Sequence, residues 1–248
     1  MPERLEIGLK PELNDPAGRG LVARARAYLG LNLERARVLR VLTFDTKLST
    51  AELERVRERI FTNPVTEVGS FLPLAGQVLP EFDWALWVGL KPGVRDNEGA
   101  TACEAMADVL GRGFGPEEVV YASRLYLIQA PRLSAAQAET VCRELLANPI
   151  IQSWKVFARQ DWDPQRGMGL ILPKVELKHT PKVETLAIPD DDALMTLSQA
   201  RHLFLNPADL PVIRGYFNDP AVRAARAAVN LSDPTDVELE YVSQARSD

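Results

Sequence analysis

The strongest constraint on the fold of this chain is that much of it is written twice. Residues 6–18 read EIGLKPELNDPAG and residues 87–99 read WVGLKPGVRDNEG, so that Gly, Leu, Lys, Pro, Asp and Gly coincide at an offset of 81. Residues 48–64, LSTAELERVRERIFTNP, recur at 133–149 as LSAAQAETVCRELLANP, now at an offset of 85. Two matched blocks in the same order at nearly the same offset imply a duplicated module with a four-residue insertion between the blocks.

Each copy reads as the same run of elements. Residues 5–9 and 85–90 are short apolar stretches stopped at Lys10-Pro11 and Lys91-Pro92, as expected of strands ended by proline. Residues 16–30 and 97–111 carry apolar side chains at helical spacing and finish on Gly30 and Gly111, natural C-terminal stops. Residues 37–44 and 119–128 are rich in Val, Leu, Tyr and Phe and predict strands. Ser49 and Ser134 stand where an N-cap belongs, ahead of amphipathic helices running into Asn63-Pro64 and Asn148-Pro149. Strands over 66–72 and 151–157 close the copies. The module is therefore β-α-β-α-β, and the fold class is α+β. A module of about 70 residues buries only about 60% of its unfolded surface. Two copies that pair about an approximate two-fold axis solve that problem, which predicts a covalent pseudo-dimer.

Residues 79–83 connect the copies and residues 160–169 (QDWDPQRGMG) form the next polar break. Residues 170–188, with isolated prolines and Lys/Val/Glu alternation, predict an extended, strand-like crossover. From Pro189 the texture is helical. Asp190, Asn206, Asp219 and Asp233 each precede a helical segment, three of them followed directly by proline, and are expected to start four helices. The domain boundaries expected are 1–79 and 80–160 for the repeats, 161–187 for the crossover and 188–248 for a helical module. Residues 188–248 hold 5 basic and 10 acidic side chains, so the whole net charge of −5 resides there.

That acidic balance, with a pI near 5.3, disfavours nucleic acid and anionic membrane as partners, since both require clustered Lys and Arg. No apolar run approaches the roughly 20 residues that span a bilayer, so the expected localisation is cytoplasmic. Cys103 and Cys142 are too few for a disulfide framework or a cysteine metal site, and each falls in a helix of the second copy, where the first has Val22 and Arg57. His179 and His202 lack a second histidine at metal-ligand spacing, and no serine sits in Gly-x-Ser-x-Gly. Lys10 and Lys91 at the Gly-Leu-Lys-Pro turns invite an anion-site reading, but no glycine-rich phosphate loop accompanies them, and a strand-ending turn explains them. Trp84, Trp87, Tyr121, Tyr126, Trp154 and Trp162 resemble a stacking platform for single strands, yet lack a basic face and read as core or interface aromatics. Asp190, Asp191 and Asp192 fit negative charge at a helix start better than a metal site. No catalytic, cofactor-binding or metal residue is therefore assigned.

Residues 233–248, DPTDVELEYVSQARSD, resemble a signature of the phosphoribosylformylglycinamidine synthase (FGAM synthase, PurL) family, matching Pro-Thr-Asp-Val-Glu-Leu-Glu at Pro234 to Glu240. The segment before it is similar to that family's helical linker domain. The two repeats, through VGLKP and LS…NP, resemble PurS, the small subunit that dimerises in some organisms. Arg246 stands where members often have Trp, and the family's catalytic histidine is expected immediately after Asp248.

The resemblance implies a tandem PurS-like domain and a linker domain, the amino-terminal region of the enzyme that makes formylglycinamidine ribonucleotide from formylglycinamide ribonucleotide with ATP and glutamine. ATP and Mg are cofactors of the full enzyme, with none held by this chain. The implied partners are the synthetase and glutaminase domains or subunits, which the PurS-like unit bridges while helping to shield ammonia. The alternative reading is a stand-alone small-molecule sensor or interaction module, because duplicated α/β units often bind effectors at their mutual interface.

Overall fold

In a computed structural model of the chain, residues 2–175 and 182–245 are described. The chain divides into two compact units, residues 1–176 and 177–248.

The first unit holds both copies. β1 (Glu3–Leu9), α1 (Pro16–Leu29), β2 (Arg35–Asp45), α2 (Thr50–Val56) and β3 (Glu67–Ser70) form the first. A short helix α3 (Ala75–Val78) precedes the second: β4 (Trp84–Leu90), α4 (Asn97–Leu110), β5 (Val119–Gln129), α5 (Ala135–Val141) and β6 (Gln152–Ala158). All six strands belong to one antiparallel sheet in the order β3-β1-β2-β5-β4-β6. Each copy contributes three adjacent strands, and the halves join along β2 and β5, paired from Arg35↔Gln129 to Asp45↔Val119.

The local chemistry that shapes each half is repeated. Asp15 caps α1, one carboxylate oxygen accepting from the Gly18 amide at 2.9 Å and the other from the Val38 amide of β2 at 2.7 Å. Asp96 does the same for α4 and β5, with the Gly99 amide at 2.7 Å and the Ala122 amide at 2.6 Å. Each carboxylate thus ties a helix start to the strand that follows it. The close approach has a second requirement: a β-carbon at Gly18 or Gly99 would lie 2.0 Å from the carbonyl oxygen of Ala36 or Val120. Gly30 and Gly111 end α1 and α4 at φ of 65° and 67°, the left-handed geometry that glycine adopts without penalty. Ser49 with Glu52, and Ser134 with Gln137, form reciprocal capping boxes at α2 and α5. Both of these helices then widen into one π turn, Arg57–Phe61 and Cys142–Leu146.

The helices pack crosswise. Leu21 and Ala25 of α1 cluster with Leu86, Ile128, Ala138 and Val141 of the second copy. Ala102 and Met106 of α4 cluster with Leu5, Ile7, Leu42, Phe44 and Val56 of the first. Both clusters draw on both copies, so either copy alone would leave part of its apolar face in water, at about 1.5–3 kcal/mol for each large side chain so exposed. The pseudo-dimer is therefore an interleaved one.

The opposite sheet face, through Leu39, Val41, Trp87, Leu125 and Leu127, is covered by the segment expected to be a plain connector. Leu74, Ala75, Val78, Leu79 and Phe82 lie down on it, so α3 forms just ahead of the link expected at 79–83, and that link is itself packed. The closing strand expected over 66–72 is shorter, Glu67–Ser70, because Leu72 and Pro73 already lead into that cover. Trp162, Met168 and Ile171 join the same cluster, so the early part of the expected 161–187 crossover is packed chain. Arg4 of β1 fastens it, donating to the carbonyls of Arg166 and Gly169 at 2.9 and 2.6 Å.

In the second unit α6 (Asp191–Ala200), α7 (Leu210–Asn218), α8 (Pro220–Ala227) and α9 (Asp236–Ala245) enclose a core of Ile188, Leu194, Leu205, Ile213, Phe217 and Leu239. Asp190 and Asp219 cap α6 and α8 with their side chains, as the sequence suggests. Two other starts differ. Asn206 lies in a turn, its carbonyl accepting the Asp209 amide, and α7 begins at Leu210 with proline in its first turn. For α9 the cap is Thr235 rather than Asp233: its hydroxyl accepts the Glu238 amide at 3.2 Å while Glu238 takes the Thr235 amide at 2.7 Å. A capping box with glutamate at its third position outcompetes a lone aspartate two residues earlier. No helix among the described residues is long and apolar enough to cross a membrane.

Candidate functional site

The residues that carry reactive chemistry are spread apart. Cys142 is fully buried, and burial pushes its thiol up to about 12; burial also raises Cys103. Neither is a thiolate at neutral pH. His202 is exposed on the α6–α7 connection at φ 55°, with Phe204 as its ring neighbour at 6.3 Å. His179 lies outside the described residues, as does Arg246. Asp190 is spent on its cap, and Asp191 pairs with Arg214 at 2.6 Å. Among the described residues no group of three or more His, Cys, Asp or Glu is placed to hold a metal ion.

The duplicated lysines are structural. Lys10 donates to the Pro64 carbonyl at 2.8 Å and Lys91 to that of Pro149, each pinning the turn before the last strand of its own copy. The aromatic set is split between the two sheet faces. Trp84, Tyr126 and Trp154 pack under the helices, while Trp87 and Trp162 sit beneath the connector, the latter edge-on to Phe82 at 5.4 Å. They form no common platform.

Two features were not singled out in the sequence. The first is a symmetric pair of aliphatic knobs. Val65 and Ile150, counterparts in the two copies, are 76% and 80% exposed at the turns leading into β3 and β6. Those turns are held rigid, Asn63 accepting the Val65 amide at 2.9 Å and Asn148 the Ile150 amide at 3.0 Å. The knobs therefore stand at the two outer edges of the sheet, where strands present unpaired main-chain groups.

The second is a cleft of about 800 Å³ between α1 and the start of β2 of the first copy. Arg19, Arg26, Arg35 and Arg37 line it, over a floor that includes Val22, Ala23 and Ala27. Arg37 is buried and is used up by the carbonyls of Leu9, Lys10 and Leu13 at 2.6–2.8 Å; burial holds its guanidinium below its usual pKa. Asp15 also lines the cleft, with both oxygens engaged in the cap described above. The duplication offered the signal that would have found it, because comparing copies position by position isolates the arginines.

Residues 84–160 match the family model described as PurS: phosphoribosylformylglycinamidine (FGAM) synthase. The match runs from the start of β4 into the short turn after β6, so it spans the whole second copy. The second copy is thus similar to a PurS domain. No curated protein matches the chain.

Proposed function

We propose that this chain is the non-catalytic amino-terminal part of FGAM synthase, a tandem PurS-like domain and a helical linker domain, bridging the synthetase and glutaminase components and assisting ammonia transfer between them. The match of residues 84–160 to the PurS model carries this reading. The first copy supports it by repeating the matched copy's strand order, aspartate caps and π turns. The motif at Pro234 to Glu240 supports the assignment to the larger enzyme. Its Thr235 and Glu238 form the α9 capping box, and Glu238 is further held by Arg226, so the motif specifies a fixed helix start.

The work is done by shape. The rigid sheet presents Val65 and Ile150 at opposite edges, in positions related by the internal repeat, so two different components can be held at a set separation. Partners pressed against such edges exclude water, which keeps ammonia from bulk solvent during transfer. ATP and Mg belong to the synthetase chemistry, and no residue here is assigned to them. The cytoplasm is the proposed location.

The test is a reconstitution with purified synthetase and glutaminase components. Adding this chain is expected to raise glutamine-dependent FGAM formation while leaving ammonia-dependent formation unchanged, and Ile150→Asp to weaken that effect. Turnover of formylglycinamide ribonucleotide by residues 1–248 alone, with ATP and ammonia, would overturn the proposal.

A further inference from the structure

We infer that the arginine-lined cleft of the first copy is a binding site for a small phosphorylated molecule of nucleotide size. This inference does not depend on the family reading. Arg19, Arg26 and Arg35 line the cleft, and none of the three makes an ion pair or a side-chain hydrogen bond among the described residues. Arg40, Arg57, Arg112, Arg124, Arg214 and Arg226 meet carboxylates, whereas other unpaired arginines such as Arg55, Arg59, Arg95 and Arg132 stand on the exposed surface, outside this cleft. Three unpaired guanidiniums around one concavity of about 800 Å³ form a field that favours an anion, at a size typical of small-molecule sites.

The second copy is an internal control. At the positions of Arg19, Arg26, Arg35 and Arg37 it has Ala100, Ala107, Val119 and Tyr121, and where the first has Ala23 and Ala27 it has Glu104 and Asp108. The same backbone therefore carries an electropositive concavity in one copy and an acidic helix face in the other. Folding alone does not require Arg19, Arg26 and Arg35, since the second copy forms the same helix and strand without counterparts to them.

The arrangement selects the ligand class. Arg19 and Arg26 are seven residues apart on α1, about 10 Å along the helix axis, with the small side chains of Ala23 and Val22 between them. A molecule lying there places an apolar body on the floor and anionic groups at its ends. Guanidinium forks match phosphate oxygens in a planar, two-point fashion, and several forks can share one phosphate where a carboxylate runs out of acceptors. Glu34 at the rim offers an acceptor for a hydroxyl or amino group of the ligand.

Calorimetric titration and thermal shift of the whole chain, with ADP, pyrophosphate and adenosine as probes, test the site. ADP is expected to bind saturably, one per chain, and to stabilise the fold, pyrophosphate to bind more weakly, and adenosine not to bind. The double variant R19A/R26A should lose about tenfold or more in ADP affinity. Arg95→Ala, an exposed arginine of the second copy, should leave it unchanged. The inference fails if neither ADP nor pyrophosphate binds, if adenosine binds as tightly as ADP, or if R95A weakens binding as much as the double variant.

Discussion

Arg40 and Arg124, counterparts in the two copies, stand directly opposite each other in the register of the central strand pair. The equivalence follows from the paired caps, which place Val38 and Ala122 in the same role. A residue that meets its own counterpart marks the pseudo-two-fold axis, as in an isologous dimer. Two like charges facing across an antiparallel pair are destabilising, and each is drawn to an acid of its own half: Arg40 to Glu67 at 3.1 Å and Arg124 to Glu98 at 2.9 Å.

Removing one of those acids should therefore release the repulsion. Glu98→Ala is expected to lower stability by up to about 1 kcal/mol in low salt, since both partners are part-exposed. The difference from the parent chain should shrink in high salt as the arginines are screened. Urea unfolding at two ionic strengths checks this, and a salt-independent loss would speak against it.

The glycines at the aspartate caps admit no side chain. Gly18→Ala or Gly99→Ala drives a methyl group into a backbone carbonyl, and should cost about 1–3 kcal/mol or shift the helix start off its strand. Gly20→Ala, one turn position away with open space around it, should be neutral or slightly stabilising. Thermal unfolding of the three variants reads out the contrast.

Because α1 and α4 pack crosswise, neither copy has a complete core of its own. Residues 1–79 expressed alone are expected to be unfolded, or to fold only by pairing with a second copy of themselves. Circular dichroism with sedimentation velocity decides the matter: a folded monomer of 1–79 would contradict the interleaved packing.

Arg4 holds residues 166 and 169 through their carbonyls and pairs with Glu6 at 3.0 Å, both side chains being almost wholly buried. Glu6 also accepts the Leu74 amide at 2.7 Å, so a single buried pair fastens both segments covering the sheet. Arg4→Ala leaves the Glu6 carboxylate buried without its partner and should cost about 3–5 kcal/mol. Hydrogen exchange should accelerate at Gly167, whose amide bonds to the Asp163 carbonyl, before it does in the sheet.

Acid should weaken the fold through two carboxylates. Arg226 and Thr235 hold Glu238 down to about 2, and Arg112 with the Lys47 amide holds Glu118 down to about 2. A carboxyl group whose folded pKa lies below its unfolded value of about 4.5 stabilises the fold above that pH. The contribution fades as pH falls from 4.5 toward 2. With solvent screening each is worth about 1 kcal/mol. Glu118→Gln and Glu238→Gln should each flatten the pH dependence of stability across that window, measured by chemical unfolding. Glu6 runs the other way, since burial raises its pKa, so its share is present at low pH and fades as pH rises through the folded value.

Much of the architecture is legible in the chain itself. Repetition of GLKP and LS…NP, serine and aspartate caps, and glycine stops act within a few residues, so both copies, their strands and the four tail helices can be read locally. The starts of α7 and α9 differ from the expected ones because several polar residues compete at each, and only backbone geometry decides among them. The partnership of α1 with the second copy, the laying of residues 74–82 and 162–171 over the sheet, the exposure of Val65 and Ile150, and the gathering of three unpaired arginines into one cleft depend on contacts between residues distant in sequence. Periodicity tells which face of an element is apolar. It does not tell which other element covers that face, because the choice is settled by closing the whole sheet and filling its two sides at once.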